Sequence, residues 1–99
     1  MTKPIYVLFR GRLKEAWHQL SQDEKDTLMA KNNASLEKVG AELVIMCDSS
    51  WSSEQWTFSG VHKFPDLEAL QQHSDDRNEM NWHRYGYAES VLGTEWEPS

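Results

Sequence analysis

I-Y-V-L-F-R-G-R-L, residues Ile5 to Leu13, is apolar on both alternating faces at its start and carries Arg10 and Arg12 on a single face at its end. A strand with two apolar faces belongs in the middle of a sheet, covered on both sides. The two arginines then sit where one covering layer gives out, which points to a partly buried, electropositive pocket at that end. Ile5, Val7 and Phe9 form a uniformly apolar set and are assigned to the helix side. Tyr6, Leu8, Arg10 and Arg12 face the other way, toward a cavity or a partner.

Outward from this strand, K-E-A-W-H-Q-L (Lys14 to Leu20) is expected to make a short helical turn that tucks Trp17 and Leu20 onto the domain. Ser21-Gln22-Asp23-Glu24 matches a capping box, so a helix is placed from about Gln22 to Val39, with Asp23, Glu24 and Asp26 at its positive end. Gly40 supplies the left-handed cap. Leu28, Met29, Leu36 and Val39 mark its buried stripe, thinned by Asn32 and Asn33. Those asparagines read most simply as a helix edge near solvent, and otherwise as polar groups turned to a ligand.

E-L-V-I-M-C-D (Glu42 to Asp48) is a second strand, and serine-rich Ser49 to Ser53 is a turn. Gln55 to Phe64 alternates over ten residues, with Trp56, Phe58, Gly60, His62 and Phe64 on one side and Thr57, Ser59, Val61 and Lys63 on the other. Gly60 marks a bulge or a close backbone approach. Pro65-Asp66 opens a second helix whose Leu67, Leu70, His73 and Arg77 continue one face, with Ser74-Asp75-Asp76 as a candidate break. A last strand is expected over roughly Arg84 to Leu92, with Tyr85 and Tyr87 on one face.

The order is β-α-β-β-α-β. Right-handed crossovers then put the first and third strands at the centre of a four-stranded antiparallel sheet, giving an α+β, ferredoxin-like single domain over residues 1–99. Helices cover one sheet face. The other carries large apolar side chains, and a second copy of the same sheet is the commonest way to cover it, so a homodimer is expected.

Composition points the same way: five tryptophans, three tyrosines and three phenylalanines are a large aromatic load for 99 residues. Cys47 is the only cysteine, which excludes an intramolecular disulfide and a cysteine-based zinc site and fits a reducing compartment. Up to Ser50 seven basic residues offset seven acidic ones, whereas from Trp51 onward three face nine, which accounts for the whole net charge of −6. Such a surface repels a phosphate backbone, so nucleic acid is disfavoured as a partner. The N-terminus does not read as a signal peptide, and no apolar stretch approaches the about 20 residues that span a bilayer. No membrane partner is expected, and the simplest location is the cytoplasm.

A-W-H-Q-L-S-Q-D-E-K before the first helix, F-P-D-L-E-A-L opening the second and W-H-R-Y entering the last strand carry a family likeness. With the element order they make nearly the whole chain resemble the dimeric α+β barrel superfamily, which includes antibiotic-biosynthesis-type monooxygenases, EthD-like and muconolactone isomerase-like proteins. In particular these phrases resemble poorly characterised members such as the darcynin-like group. The resemblance implies a ligand cavity between each sheet and its helices or between two sheets; it fixes no chemistry.

Several side chains qualify as site residues. Arg10 and Arg12 could grip a carboxylate or phenolate beside Tyr6, though an interface ion pair, for instance with Asp48, explains them more plainly. Trp56, Phe58 and His62 form an aromatic wall suited to a planar ligand, with one titratable group that could move a proton; dimer core plus a hydrogen-bonded histidine is the other reading. His73 extends an apolar helix stripe and points inward, as a satisfied core histidine or as a site residue. Tyr85 is the weakest candidate, a hydroxyl on an edge strand.

His18, His62, His73 and His83 show no H-x-H, H-x-x-x-H or H-E-x-x-H spacing, so no metal is assigned. No nucleotide loop or serine-hydrolase elbow is present, and no cofactor is assigned. Haem-degrading members of the superfamily pair a first-strand asparagine with a third-strand tryptophan and a second-helix histidine. This chain offers Trp56 and His73 but has Tyr6 and Arg10 where the asparagine is sought, which leaves haem a minor alternative. The expectation is a small-molecule-binding homodimer acting on a planar or anionic organic compound. If catalytic, it performs cofactor-independent proton transfer, isomerisation or oxygenation, with His62 or His73 as acid/base and Arg10 stabilising negative charge. The rival is a non-catalytic interaction or sensing protein whose aromatic face is only a dimer interface.

Overall fold

A computed structural model describes residues 3–98. Strand β1 (Ile5–Leu13) leads through a single helical turn, α1 (Glu15–His18), into the long helix α2 (Gln22–Lys38). Strands β2 (Glu42–Asp48) and β3 (Phe58–Phe64) follow, then helix α3 (Leu67–Glu79), a 3-10 turn (Trp82–Arg84) and strand β4 (Gly86–Gly93). The sheet order is β2-β3-β1-β4 and every pairing is antiparallel, so the first and third strands are central, as expected.

Both ends of α2 are built by the residues that foreshadow them. Ser21 Oγ accepts from the Glu24 backbone N–H at 3.1 Å while the Glu24 carboxylate accepts from the Ser21 N–H at 2.9 Å, closing the capping box. Hydrogen bonding from the Ser21 backbone N–H, and then from its side chain, holds the Glu24 carboxyl below its ordinary range. At the other end Gly40 takes φ +77°, and the Gly40 and Ala41 N–H groups donate to Glu37 and Leu36 carbonyls at 3.1 and 2.9 Å, a Schellman motif. Asp66 caps α3 by accepting from the Ala69 N–H at 2.8 Å.

The register sorts the side chains by face. Ile5 opposes Phe64, Val7 opposes His62, Phe9 opposes Gly60 and Gly11 opposes Phe58, so all of these lie on the helix side. Arg12 opposes Tyr87, Arg10 opposes Glu89 and Leu8 opposes Val91 on the side that no helix covers. Gly60 permits a close approach: a Cβ there would run into the Ile45 carbonyl oxygen and the Phe9 ring. The irregularity itself falls on the neighbouring strand, between Leu43 and Ile45.

Several boundaries differ from expectation. Pairing of β3 begins at Phe58, because the Gln55 and Trp56 N–H groups are taken by Ser53 Oγ in the preceding turn. Residues 82–84 wind into a 3-10 turn, so Tyr85 precedes β4 and does not share a strand face with Tyr87. Helix α3 runs unbroken through Ser74-Asp75-Asp76. The inward stripes are thinner than the sequence suggests: Met29 and Leu67 are exposed, and the buried residue of α2 is Ser35. Among the described residues Val7, Trp17 and Phe64 are the buried hydrophobic side chains, so the core is small and its packing on the helix side leans on polar contacts.

Candidate functional site

The helix side of the sheet collects the titratable groups. His62, half-buried on β3, stacks on Phe9 with ring centres 4.8 Å apart and planes inclined by 21°. Phe64, two residues on, lies 6.0 Å from His62 and 5.7 Å from His73 by ring centres, and so bridges β3 to α3. His73 is 4 % exposed and Ser35, facing it from α2, is 6 % exposed. Arg77, one turn beyond His73, places its guanidinium 5.4 Å from the centre of the Trp82 ring. Trp82 meets Trp17 edge-on at 6.0 Å, and Trp17 meets Tyr85 at 6.5 Å, which makes an aromatic end wall.

This arrangement sets the protonation states. Burial, reinforced by the nearby Arg77 cation, lowers the His62 imidazole. The same two causes take His73 down to about 4, so at neutral pH both rings are uncharged. Burial also lowers Arg77, which nonetheless stays charged near neutrality because guanidinium does not deprotonate in proteins. Among the described residues Arg77 Nε is buried without a hydrogen-bond acceptor, an unusual condition for a cationic donor. Two neutral imidazoles and one cationic donor without an acceptor thus lie on the same side of the sheet.

A chain of hydrogen bonds anchors His73 from behind. Ser35 Oγ lies 2.9 Å from His73 Nδ1 and donates to Asp76 Oδ2 at 2.6 Å. Asp76 also receives Gln72 Nε2 at 3.0 Å and Lys38 Nζ at 2.9 Å. Hydrogen bonds from Ser35, Lys38 and Gln72 depress its carboxyl to about 2. A groove of about 440 Å³ between α2 and α3, lined in part by Lys31, Lys38 and Glu79, opens onto Ser35 and Asp76.

The open side of the sheet gathers the remaining predicted residues. Arg10 forms an ion pair with Glu89 directly across β1 and β4, so its partner is not Asp48. The Asp48 carboxylate instead accepts from the Ser50 hydroxyl and N–H, which hold it below its ordinary range. Trp56 turns to this side, with the Arg10 and Arg12 guanidinium carbons 5.3 and 5.5 Å from its ring centre. Arg12 and Lys14 in turn sit 4.9 and 4.6 Å from the Tyr87 ring centre. Lys63 lies 6.0 Å over Tyr6. A second groove, also about 440 Å³, runs along this face past Leu8, Arg10, Ile45, Val61 and Val91.

The predicted site residues therefore divide. His62, His73 and Phe58 lie on the helix side, with Tyr85 at its aromatic end wall; Arg10, Arg12, Tyr6 and Trp56 share the open side. The wall of Trp56, Phe58 and His62 is split because the strand alternation does not extend back to Trp56. Arg10 is separated by the thickness of the sheet from the two histidines it was expected to assist. Arg77, Ser35 and Asp76 are the additional residues of the helix-side cluster. Arg77 was visible as the continuation of the His73 stripe, whereas Ser35 and Asp76 carried only their helical spacing, seven residues after Leu28 and three after His73.

No family model matches the chain, and no curated protein is similar to it. Solved structures are. A protein of unknown function from Rhodopseudomonas palustris superposes with a TM-score of 0.69 at 15% identity, over 99% of this chain and 86% of that one. SnoaB, a cofactor-independent oxygenase from Streptomyces nogalater, gives 0.57 at 10% identity, over 98% and 97%. A dimeric protein of unknown function and ferredoxin-like fold from Bacteroides fragilis gives 0.50 at 10% identity, over 93% and 96%. This chain has a ferredoxin-like α+β fold. At such identities the likeness is one of fold, and the chemistry must be argued from the side chains above. Among the described residues no helix is long and apolar enough to cross a membrane.

Proposed function

We propose that this protein is a homodimer that binds a small planar organic compound with an ionisable oxygen, a phenol or enol, between its helices and its sheet, and acts on it without a cofactor. The observation that carries the reading is the buried, unpartnered Arg77 Nε on the same side of the sheet as the neutral imidazoles of His62 and His73. A neutral imidazole can take the proton from the phenol or enol, and the oxygen anion so formed offers Arg77 the acceptor it lacks. Phe9 and Trp82 are suited to flank a flat ring. Returning the proton to a conjugated carbon instead of the oxygen is isomerisation, an O–H bond exchanged for a C–H bond; transfer of electrons from the anion to dissolved dioxygen begins an oxygenation. The fold likeness to a cofactor-independent oxygenase supports this class of chemistry.

Arg10 and Arg12 have a different part in this proposal. With Glu89, Trp56 and Tyr87 they belong to the open face, where Leu8 is 50 % and Val91 68 % exposed, and a second copy of the sheet covers them. The dimeric ferredoxin-like relative supports that assembly. A second reading, a non-catalytic interaction or sensing protein, is favoured by the groove on this same face. Haem has weaker support, because Trp56 and His73 lie on opposite sides of the sheet.

Thermal shift and oxygen uptake with a panel of planar phenols and hydroxynaphthoquinones test the reading. The expected result is stabilisation by at least one compound, lost in Arg77→Met and reduced in His73→Gln. Stabilisation that survives Arg77→Met but vanishes in Arg10→Met would move the site to the open face.

A further inference from the structure

Resting on the helix-side reading above, we propose that Ser35 and Asp76 are positioning residues that hold His73 as the tautomer with its proton on Nδ1, leaving Nε2 as the basic nitrogen. A serine hydroxyl has one hydrogen to give. Ser35 Oγ lies 2.6 Å from Asp76 Oδ2 and 2.9 Å from His73 Nδ1, so it stands between two partners and donates to only one. Asp76 is ionised and can only accept. The Ser35 hydrogen therefore goes to Asp76, and the contact with His73 Nδ1 requires that nitrogen to be the donor. A neutral ring that donates from Nδ1 carries its lone pair on Nε2.

The neighbours keep the relay in that state. Lys38 from α2 and Gln72 from α3 donate to the Asp76 carboxylate, which keeps it an acceptor. Arg77 on α3, His62 on β3 and Lys38 on α2 disfavour a second proton on His73, and Asp76 opposes them. The histidine side chain free in water favours the proton on Nε2, so the relay must work against an intrinsic preference. Asp-Ser-His coupling of this kind orients a base as a carboxylate orients the histidine in other acid/base sites, here with a hydroxyl interposed.

The test uses the whole protein with 15N-labelled histidine and long-range proton–nitrogen correlation at pH 7, and it needs no ligand. In the wild type His73 is expected to show a protonated, pyrrole-type Nδ1 and an unprotonated, pyridine-type Nε2. Ser35→Ala is expected to shift the ring to a majority of the Nε2–H form, and Ser35→Thr, which keeps the hydroxyl, to restore the Nδ1–H form. Asp76→Asn serves in place of Ser35→Ala if that variant does not fold, since an amide can donate to Ser35 and reverse the relay. A wild-type His73 protonated on Nε2, or a tautomer unmoved in the folded variant, overturns the proposal. A panel that yields no ligand would count against the site while leaving this signature intact, so the two failures are distinguishable.

Discussion

Phe9 and His62 stack almost in parallel, their ring centres 4.8 Å apart, although one belongs to β1 and the other to β3. The stack fixes His62 on the covered side of the sheet and helps to strip water from its ring. His73 reaches the same side from α3 and is more deeply buried.

These two rings should make the fold acid-sensitive. His73 has a value of about 4 in the fold against 6.5 when unperturbed, and His62 is shifted in the same direction. Between those values the unfolded chain binds more protons than the folded one, so stability is full above the unfolded value and falls as pH drops through the window. Urea denaturation from pH 7.5 to 4.5 should show a falling midpoint in the wild type and a flatter profile in His73→Gln. A wild-type midpoint independent of pH would refute the assignment. Asp76, at about 2, titrates below this range and does not account for the effect.

Gly60 should tolerate no side chain. A Cβ would meet the Ile45 backbone oxygen, which cannot swing away, and would lie 2.7 Å from Phe9 Cζ. Gly60→Ala is expected to cost about 1–3 kcal/mol or more, as overpacking does, with separation of β2 from β3 as the relief. Gly93→Ala is the control, having nothing within 4 Å of the added methyl, and should change stability by less than about 0.5 kcal/mol. Equal effects in chemical denaturation would contradict the close approach.

Removing the cap of α2 should cost a predictable amount. Ser21→Ala deprives the Glu24 N–H of its acceptor at a solvent-exposed helix start, and about 1 kcal/mol is expected. Ser21→Asp should recover most of it by supplying an acceptor and a charge suited to the helix dipole. Differential scanning calorimetry of the two variants distinguishes a working cap from an incidental contact.

The open face should control assembly. Val91 is 68 % exposed on β4, so Val91→Arg has little to disturb within one protomer. In a face-to-face dimer the same change buries an unpaired charge at a cost of about 3 kcal/mol or more, enough to weaken association over 100-fold. Sedimentation equilibrium should find the wild type dimeric and the variant monomeric at micromolar concentration. A wild-type monomer would remove the dimer proposal, and a dimeric variant would place the interface elsewhere.

Elements written in local chemistry were legible without coordinates. The capping box at Ser21, the glycine cap at Gly40 and the limits of β2 all depend on neighbours a few residues away. Period-two alternation identified β3, yet overran its start by three residues because the Ser53 hydroxyl captures the Gln55 and Trp56 N–H groups. The site was harder to read. Alternation states that Arg10 and His62 each have a face, but relating those faces requires the pairing of Val7 with His62 and of Arg10 with Glu89.

The sequence by itself determined the α+β class, the order of elements and the helix caps, since these rest on periodicity and on hydrogen bonds between near neighbours. Only the tertiary structure decided that His62 and His73 lie together with Arg77 while Arg10 and Trp56 face the other way. It likewise decided that Ser35, unremarkable in the chain, meets His73 across 38 positions. The reason is physical: strand register and helix packing join residues distant in sequence, and a one-residue change of register exchanges the two faces of a strand.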